Sequence, residues 1–499
     1  MRTLRIAPQR PAILTLLITL CILLAGVVWG ASQDILTITH FSKTLNREKT
    51  FQVYVPLDSK PGERFPVLFV LHGAWGSYSD WVSKTTIEDL ADNYRMVLVF
   101  PDGGEFGWYA DSPVEKDSQY DTYVAKDLVG EVDRLFPTVA TREARAIMGL
   151  SMGGHGALLL AAKHPDLFSS ASSLSGILKI TDHPDKWQIA GRLGGLDENP
   201  AAWKANSVWE QADRFTTAGV RLLFDCGTSD TITGAIGDNR KMHDRLVALG
   251  VPHVWRELPG THAWTYWQDH LEEHLDFHAA AMLAQTPELP RGARGYLARQ
   301  AKFLDENSTL TLHHFDKPTV CLLGSSSMEG FPRDLLPDYE VFNRGISGDV
   351  LGIYAHGITH RLEASVFDLK PHYIFIKNGR NDLGNRARSR EPSIERMIAE
   401  YEKIILTIQK RLPDSKLVIV TCAPVRDRYA HLAAATHSFD MQLIELAKKH
   451  KVPVIDLYKD LVGGDGLLKP EYSRDGLHFN RAGYEILASH MIAFISSNP

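Results

Sequence analysis

Short apolar runs of strand length recur along this chain, and stretches of helical periodicity separate them. In the first half they fall at 51–55, 67–71, 96–100, 145–150 and 220–226, with helical patterns over 123–135 and 156–164 between them. Short buried strands alternating with helices leave few solutions: a mainly parallel sheet with helices packed on its faces. The rhythm breaks once, over 286–295, where Pro, Gly and Arg predominate and a linker is expected. It then resumes with strand-like runs at 320–323, 373–377, 417–421 and 452–456, and helical stretches over 394–411 and 441–450. The two series share a layer architecture but not a motif order, so they are not repeats.

A chain of 499 residues has room for two or three such domains. With 44% hydrophobic and 23% charged residues, it is neither a disordered nor a collagenous sequence, and not a polytopic membrane protein. Lys and Arg total 54 against 60 Asp and Glu, a net charge of −6, which offers no electrostatic footprint for nucleic acid. The four cysteines, Cys21, Cys226, Cys321 and Cys422, form no CxxC pair and indicate neither a zinc ribbon nor a disulfide framework.

At the N-terminus, Arg2, Arg5 and Arg10 precede an apolar run over 12–29, and the small residues Gly30, Ala31 and Ser32 follow. Positive start, apolar core and small-residue end are the parts of a secretory signal peptide, cleaved after Ala31 or Ser32. The alternative is an uncleaved membrane anchor, since the run approaches the roughly 20 residues that span a bilayer. The expected organisation is a signal or anchor at 1–32, a first domain at 33–285, a linker at 286–298 and a second domain at 299–499. Both domains are expected outside the cytoplasm.

In the first domain, Gly149-Leu150-Ser151-Met152-Gly153 fits G-x-S-x-G, directly after one strand-like run and directly before a helix-like one. That context is what a nucleophile elbow requires: small flanking residues let a cramped turn lift the serine Oγ above the sheet, at a helix N-terminus. There the backbone N–H of Met152 faces a developing oxyanion. A serine nucleophile needs a base and the base an orienting acid, in the chain order Ser, Asp, His. Asp230 lies just beyond the strand at 220–226, where a loop acid belongs, and Asp225 within that strand is its competitor. His262 sits in the turn Pro259-Gly260-Thr261-His262, a natural place for a loop base. His155 and His164 fall on the helix after the elbow and are expected on its surface. The second oxyanion donor is expected after the strand at 67–71, where Gly73 lets the chain turn and the N–H of Ala74 points at the site; His72 there reads as structural. Trp81, Trp108 and Trp264 lie near these motifs and are the pocket candidates.

The stretches LHGAWGSYSDW, VFPDGG, GLSMGGHGAL, DCGTSD and LPGTHAW together resemble the esterase D/tributyrin esterase group of α/β-hydrolases. That group includes feruloyl esterases, S-formylglutathione hydrolases and mycolyltransferases. The resemblance covers about 38–283. It implies Ser151, Asp230 and His262 as a triad, Ala74 and Met152 as backbone donors, and short-chain or aryl esters as substrates.

The second domain carries a different pattern. Gly324-Ser325-Ser326-Ser327 follows an apolar strand; Asn343 to Asp349 reads as a Gly-rich turn with an exposed N–H at Gly348; Asn381 follows the strand at 373–377; and Asp475-Gly-Leu-His478 precedes the final helix. Ser326 is the candidate nucleophile, His478 its base and Asp475 the orienting acid. The N–H groups of Ser326 and Gly348 and the Asn381 side chain are the candidate oxyanion donors. The four blocks, in this order, resemble the SGNH or GDSL-type hydrolases, close to platelet-activating-factor acetylhydrolase-like esterases, over about 299–495. One position departs from the pattern: relatives usually carry Asp before the serine, and this chain has Ser325. The resemblance implies a flavodoxin-like α/β/α sandwich acting on acetylated sugars and small acyl esters.

The expectation is therefore an α/β protein of two fused serine carboxylesterases, acting on a small-molecule or polysaccharide ester and needing neither metal nor cofactor. Contact with a membrane is expected only if the N-terminal segment stays uncleaved, and the oligomeric state is left open. The alternatives are acyl transfer to a sugar hydroxyl, or one active esterase fused to a degenerate binding domain.

Overall fold

The computed structural model describes residues 3–5 and 35–498, except 57–58, 61, 92, 232–233, 287–292, 354–356 and 385–391. The apolar run read as a signal peptide or anchor lies outside the described residues. Among the described residues, no helix is long and apolar enough to cross a membrane. The chain divides into two compact units, residues 1–290 and 291–499. Residues 293–298, read above as linker, instead begin a helix that runs from Ala293 to Ser308.

Among its described residues the first unit is built on a sheet of nine strands: β1 (Thr3–Arg5), β2 (Leu36–Ser42), β3 (Arg47–Tyr54), β4 (Val67–Leu71), β5 (Val97–Pro101), β6 (Arg145–Leu150), β7 (Ser170–Leu174), β8 (Arg221–Gly227) and β9 (Val254–Leu258). The order is β1-β2-β3-β5-β4-β6-β7-β8-β9, antiparallel at β2–β3 and β3–β5 and parallel elsewhere. Alternation along β4 sends Val67, Phe69 and Leu71 into one apolar cluster and Leu68 and Val70 into another. The first cluster is closed by Leu158, Leu159 and Leu160 of α1 (Met152–Lys163). The second is closed by Leu271 and Leu275 of α2 (Trp264–Ala281). Strand order reverses between β4 and β6, so the crevice at their carboxyl ends is where an open α/β sheet places its ligand.

β7 has no apolar run to announce it. Its sequence, Ser-Ala-Ser-Ser-Leu, is fully buried, and two of its three hydroxyls find partners: Ser170 and Ser172 hydrogen-bond the two ring nitrogens of His278 at 2.8 and 2.7 Å, while Ser173 Oγ has none. Ser172 also meets His274 Nδ1 at 2.8 Å. Hydrogen-bonded hydroxyls let a strand without an apolar run be buried.

Among its described residues the second unit has five strands, all parallel: β10 (Thr319–Gly324), β11 (Glu340–Gly345), β12 (Tyr373–Lys377), β13 (Lys416–Val420) and β14 (Val454–Ile455), in the order β11-β10-β12-β13-β14. This is the flavodoxin-like order, with its switch point between β10 and β12. Cys321, Leu323, Ile374 and Ile376 face one cluster, covered by α3 (Ile394–Arg411) and α4 (Ala433–Lys449). Val320, Leu322, Tyr373 and Phe375 face the other, covered by α5 (Arg481–Ser497). Helix α3 shows why it forms: Met397, Tyr401, Ile404, Ile405 and Ile408 repeat at helical spacing, and the Ser393 side chain caps it by accepting the Arg396 N–H.

The segment over 343–349, read above as one Gly-rich turn, is divided. Asn343, Arg344 and Gly345 are the buried end of β11, and the turn begins only at Ile346. A Cβ on Gly345 would sit 2.0 Å from the backbone N of Glu329, so the glycine there serves close packing.

Candidate active sites

Ser151 occupies the turn between β6 and α1 with φ 53° and ψ −118°, a left-handed conformation that strains any residue with a side chain. The flanking glycines allow it. A Cβ on Gly149 would meet the carbonyl of Gly153 at 2.4 Å, and one on Gly153 would meet Leu71 O at 2.4 Å and His72 O at 2.6 Å. The turn presents Oγ to His262, whose Nε2 lies 2.9 Å away. His262 Nδ1 lies 2.7 Å from Oδ2 of Asp230, which stands in the turn after β8 and is 1% exposed. The competitor, Asp225, is occupied elsewhere. It is fully buried, accepts from Tyr266 Oη at 2.8 Å and pairs with His274 Nε2 at 2.7 Å.

Ala74 lines the same cavity as Ser151. Met152 is the first residue of α1, where a backbone N–H has no partner in a preceding helical turn. The loop that carries Ala74 is held by His72, which bonds the Gly73 carbonyl through Nδ1 at 2.8 Å and accepts the Gly103 N–H through Nε2 at 2.9 Å. Burial lowers the pKa of His72, so the neutral imidazole can serve both bonds. His155 is not on the helix surface. It is fully buried edge-on to Trp108, and burial lowers its pKa to about 3. The helix that follows the elbow is sunk in the core, so even its polar positions face inward. His164 is partly buried and bonds Asp121.

The cavity over Ser151 measures about 320 Å³. Trp108 and Trp264 line it, but Trp81 does not: it is buried edge-on to Trp264, with Nε1 donating to Leu71 O. Trp75, Trp187 and Trp267 complete the aromatic wall and escaped the sequence reading. The position of Trp75, next to the oxyanion loop, was an available signal. Trp187 comes from the long β7–β8 connection and has no local motif.

In the second unit, Ser326 opens a short helix after β10, and its Oγ lies 3.2 Å from His478 Nε2. His478 Nδ1 lies 2.9 Å from Asp475 Oδ2. Burial pushes the Asp475 carboxyl up, but hydrogen bonds from the backbone N–H and ring of His478 and from the Leu477 N–H outweigh it and hold the pKa at about 2. The cap of α5 is Asn480, not Asp475, so the acid is free to orient the ring. Asn381 lines the cavity with Ser326 and His478, and its Nδ2 donates to Asp349 O at 2.8 Å, leaving the second N–H of the amide. Gly348, one residue before Asp349, has φ 81° and is not among the residues lining this cavity. Ser325, the departure from the family pattern, does line it.

Arg361 is a residue that sequence reasoning missed. It is 1% exposed, and its guanidinium joins Asp349 Oδ2, the Arg344 and Gly324 carbonyls and Ser365 Oγ at 2.6–3.1 Å. One side chain thus ties the ends of β10 and β11 to the loop that meets Asn381. The cavity here is only about 20 Å³.

Each unit therefore brings a serine, a histidine and an aspartate into one hydrogen-bonded row at the carboxyl end of its sheet. Residues 42–278 match the esterase family model, and residues 324–486 match that of the GDSL-like lipase/acylhydrolase family. The chain is 28% identical over 264 residues to an acetyl esterase of Caldicellulosiruptor saccharolyticus, covering 49% of this chain and 97% of that protein. It is 30% identical over 230 residues to an esterase of Mycobacterium tuberculosis, covering 41% of this chain and 50% of that protein. It is 26% identical over 264 residues to an S-formylglutathione hydrolase of Arabidopsis thaliana, covering 49% of this chain and 92% of that protein. The chain joins an esterase domain of the α/β-hydrolase fold to a GDSL-like hydrolase domain, and it is a serine hydrolase of carboxylic ester bonds.

Proposed function

We propose that this is an exported enzyme with two working carboxylesterase sites of different reach, the first taking aryl or other bulky acyl groups and the second short ones such as acetyl. The observation that carries this reading is the contrast between two similar Ser–His–Asp rows, one opening onto about 320 Å³ walled by tryptophans and the other onto about 20 Å³. Aromatic walls favour a flat acyl group. A space of a few atoms favours a one- or two-carbon acid.

At the first site, His262 Nε2 takes the Ser151 proton as Oγ attacks the ester carbonyl. The tetrahedral oxyanion forms facing the Ala74 and Met152 N–H groups, each such donor worth on the order of 3 kcal/mol in the transition state. Asp230 holds the imidazole tautomer and stabilises the imidazolium. The alcohol leaves with the proton from His262, and water, deprotonated in turn by His262, releases the acid. Ser326, His478 and Asp475 repeat these steps at the second site, with the Ser326 N–H and the Asn381 amide, both in the cavity wall, as donors. A polysaccharide bearing both kinds of ester would occupy both sites, an analogy from the relatives' substrate classes. The basic start, apolar run and small residues before Gln33 support export, with membrane attachment if that segment stays on the chain.

Intact-protein mass after reaction with a fluorophosphonate tests the reading. Two adducts are expected, one lost in Ser151→Ala and the other in Ser326→Ala. A single adduct, lost in Ser151→Ala, would leave one esterase and recast the second unit as a binding domain. With a sugar acceptor present, free acid is the expected product; acylated acceptor in its place would turn the reading to transfer.

A further inference from the structure

Arg361 and Asp349 form an ion pair sealed inside the second unit, their side chains 0% and 1% exposed. Asp349 Oδ2 accepts two bonds from the guanidinium, from Nε at 2.9 Å and from Nη2 at 2.6 Å. The other carboxylate oxygen, Oδ1, accepts the Val350 N–H at 3.0 Å. Arg361 also donates to the Arg344 and Gly324 carbonyls and to Ser365 Oγ, at 2.7–3.1 Å. A buried pair of this kind adds little net stability, because desolvating both charges cancels much of their attraction and apolar residues of similar volume would serve as well. What it supplies is geometry: it fixes the Asp349 main chain against the ends of β10 and β11.

The Asp349 main chain is where Asn381 is anchored. Asn381 Nδ2 donates to the Asp349 carbonyl at 2.8 Å, and the Asp349 N–H is bonded to Ile346 O at 3.0 Å. Two residues on, the Leu351 N–H donates to the Asp382 carboxyl at 3.2 Å, so the short helix Arg380–Gly384 is fastened twice to this loop. An amide NH₂ is planar, so seating one of its hydrogens on a fixed carbonyl sets the direction of the other. That second N–H is the one left for an oxyanion formed over Ser326, whose cavity Asn381 lines with His478. A misplacement of about 1 Å in such geometry costs on the order of 10² in rate. Arg361 is not among the residues lining the cavity, so it reaches the chemistry only through this relay.

We propose that Arg361 is a positioning residue for the second site: acting through Asp349, it sets the direction in which Asn381 offers its second N–H to the oxyanion. This rests on reading Ser326 as a nucleophile. It adds that the second site depends on a buried ion pair that never meets the substrate.

The full chain carrying Ser151→Ala isolates the second site, with 4-nitrophenyl acetate as substrate. Adding Arg361→Lys keeps a charge opposite Asp349, but one ammonium cannot hold both the carboxylate and the two carbonyls. It is expected to lower kcat at least tenfold and to leave KM within threefold, because an oxyanion donor acts in the transition state. A merely structural defect costs the same whether or not Asn381 is present, so a cycle with Asn381→Ala decides. In the Asn381→Ala background, Arg361→Lys is expected to cost at most threefold. Equal losses in the two backgrounds, or a kcat for Arg361→Lys within twofold of the parent, would overturn the proposal. Asp349→Asn keeps the shape of the pair without its charge and replaces Arg361→Lys in the same cycle if the lysine variant does not fold, with the same expected and overturning results. If Ser151→Ala abolishes all turnover and Ser326 takes no fluorophosphonate, the nucleophile reading fails. Solvent exchange of the Asn381 side-chain amide then decides the positioning separately, followed by NMR in chain labelled with nitrogen-15 asparagine and assigned by its loss in Asn381→Ala. Faster exchange in Arg361→Lys supports the proposal, and an unchanged rate refutes it.

Discussion

Asp230 and Asp475 stand in the same relation to their histidines, 2.7 and 2.9 Å from Nδ1, yet Asp230 is sealed from solvent while the Asp475 side chain keeps 32% of its surface exposed. Arg428 approaches Asp475 on that open side, 3.5 Å from Oδ2. The difference predicts unequal dependence on the two acids. With the other site silenced, Asp230→Asn should lower kcat on the order of 10⁴, because no water can replace the carboxylate in holding the imidazole tautomer. Asp475→Asn should cost less, on the order of 10²–10³, since solvent reaches that side of the ring. Equal losses would show that burial of the acid is immaterial.

Gly153 sets the height of the elbow against β4. Gly153→Ala drives a methyl against Leu71 O and His72 O, the carbonyls beside the oxyanion loop. The first unit should lose about 1–3 kcal/mol of stability. Fluorophosphonate labelling of Ser151 should slow while that of Ser326 keeps its rate, which makes the second unit an internal control.

The units should respond oppositely to acid between pH 7 and 5. In the first, burial lowers the pKa values of His72, His155, His253, His274 and His278. The unfolded chain then binds more protons below its own value near 6.5, so stability is lost as pH falls through that value. His155, held at about 3, contributes about 2 kcal/mol of this loss by pH 5. In the second unit, burial raises Asp382 to about 7, so the folded state binds the extra proton and stability is gained as pH falls from 7. Calorimetry at pH 7 and pH 5 should show one transition moving down and the other up. His155→Leu should lessen the downward shift.

Trp75 is 67% exposed and stands edge-on to Phe106 in the wall of the first cavity. Trp75→Ala should raise KM for an aryl-acyl ester about 2–12-fold, the worth of one aromatic contact, and leave KM for an acetyl ester within twofold. An equal change for both esters would remove the tryptophan from acyl recognition.

Much of each fold was legible because buried strands in a layered sheet must be apolar on both faces, as 67–71 and 373–376 are. Strands broke that rule where side chains found partners inside the protein. β7 hides behind serines bonded to His274 and His278, and β11 ends in Asn343 and Arg344, whose side chains bond the chain around them. His155 was misplaced for the reverse reason. A polar residue on a helix reads as surface, and only the depth of α1 between sheet and Trp108 buries it.

Local sterics are written in local sequence, and so the elbow at 149–153, the Gly-rich approaches and the Asp475–His478 spacing could be read from the residues alone. The chain by itself also determined the order in which nucleophile, acid and base arrive. What it could not contain is distance between residues far apart. His262 meets Ser151 across 111 positions and His478 meets Ser326 across 152, because parallel strands deliver all their following loops to one edge of the sheet. The sizes of the two cavities are set by packing among those loops, and only the tertiary structure decides them.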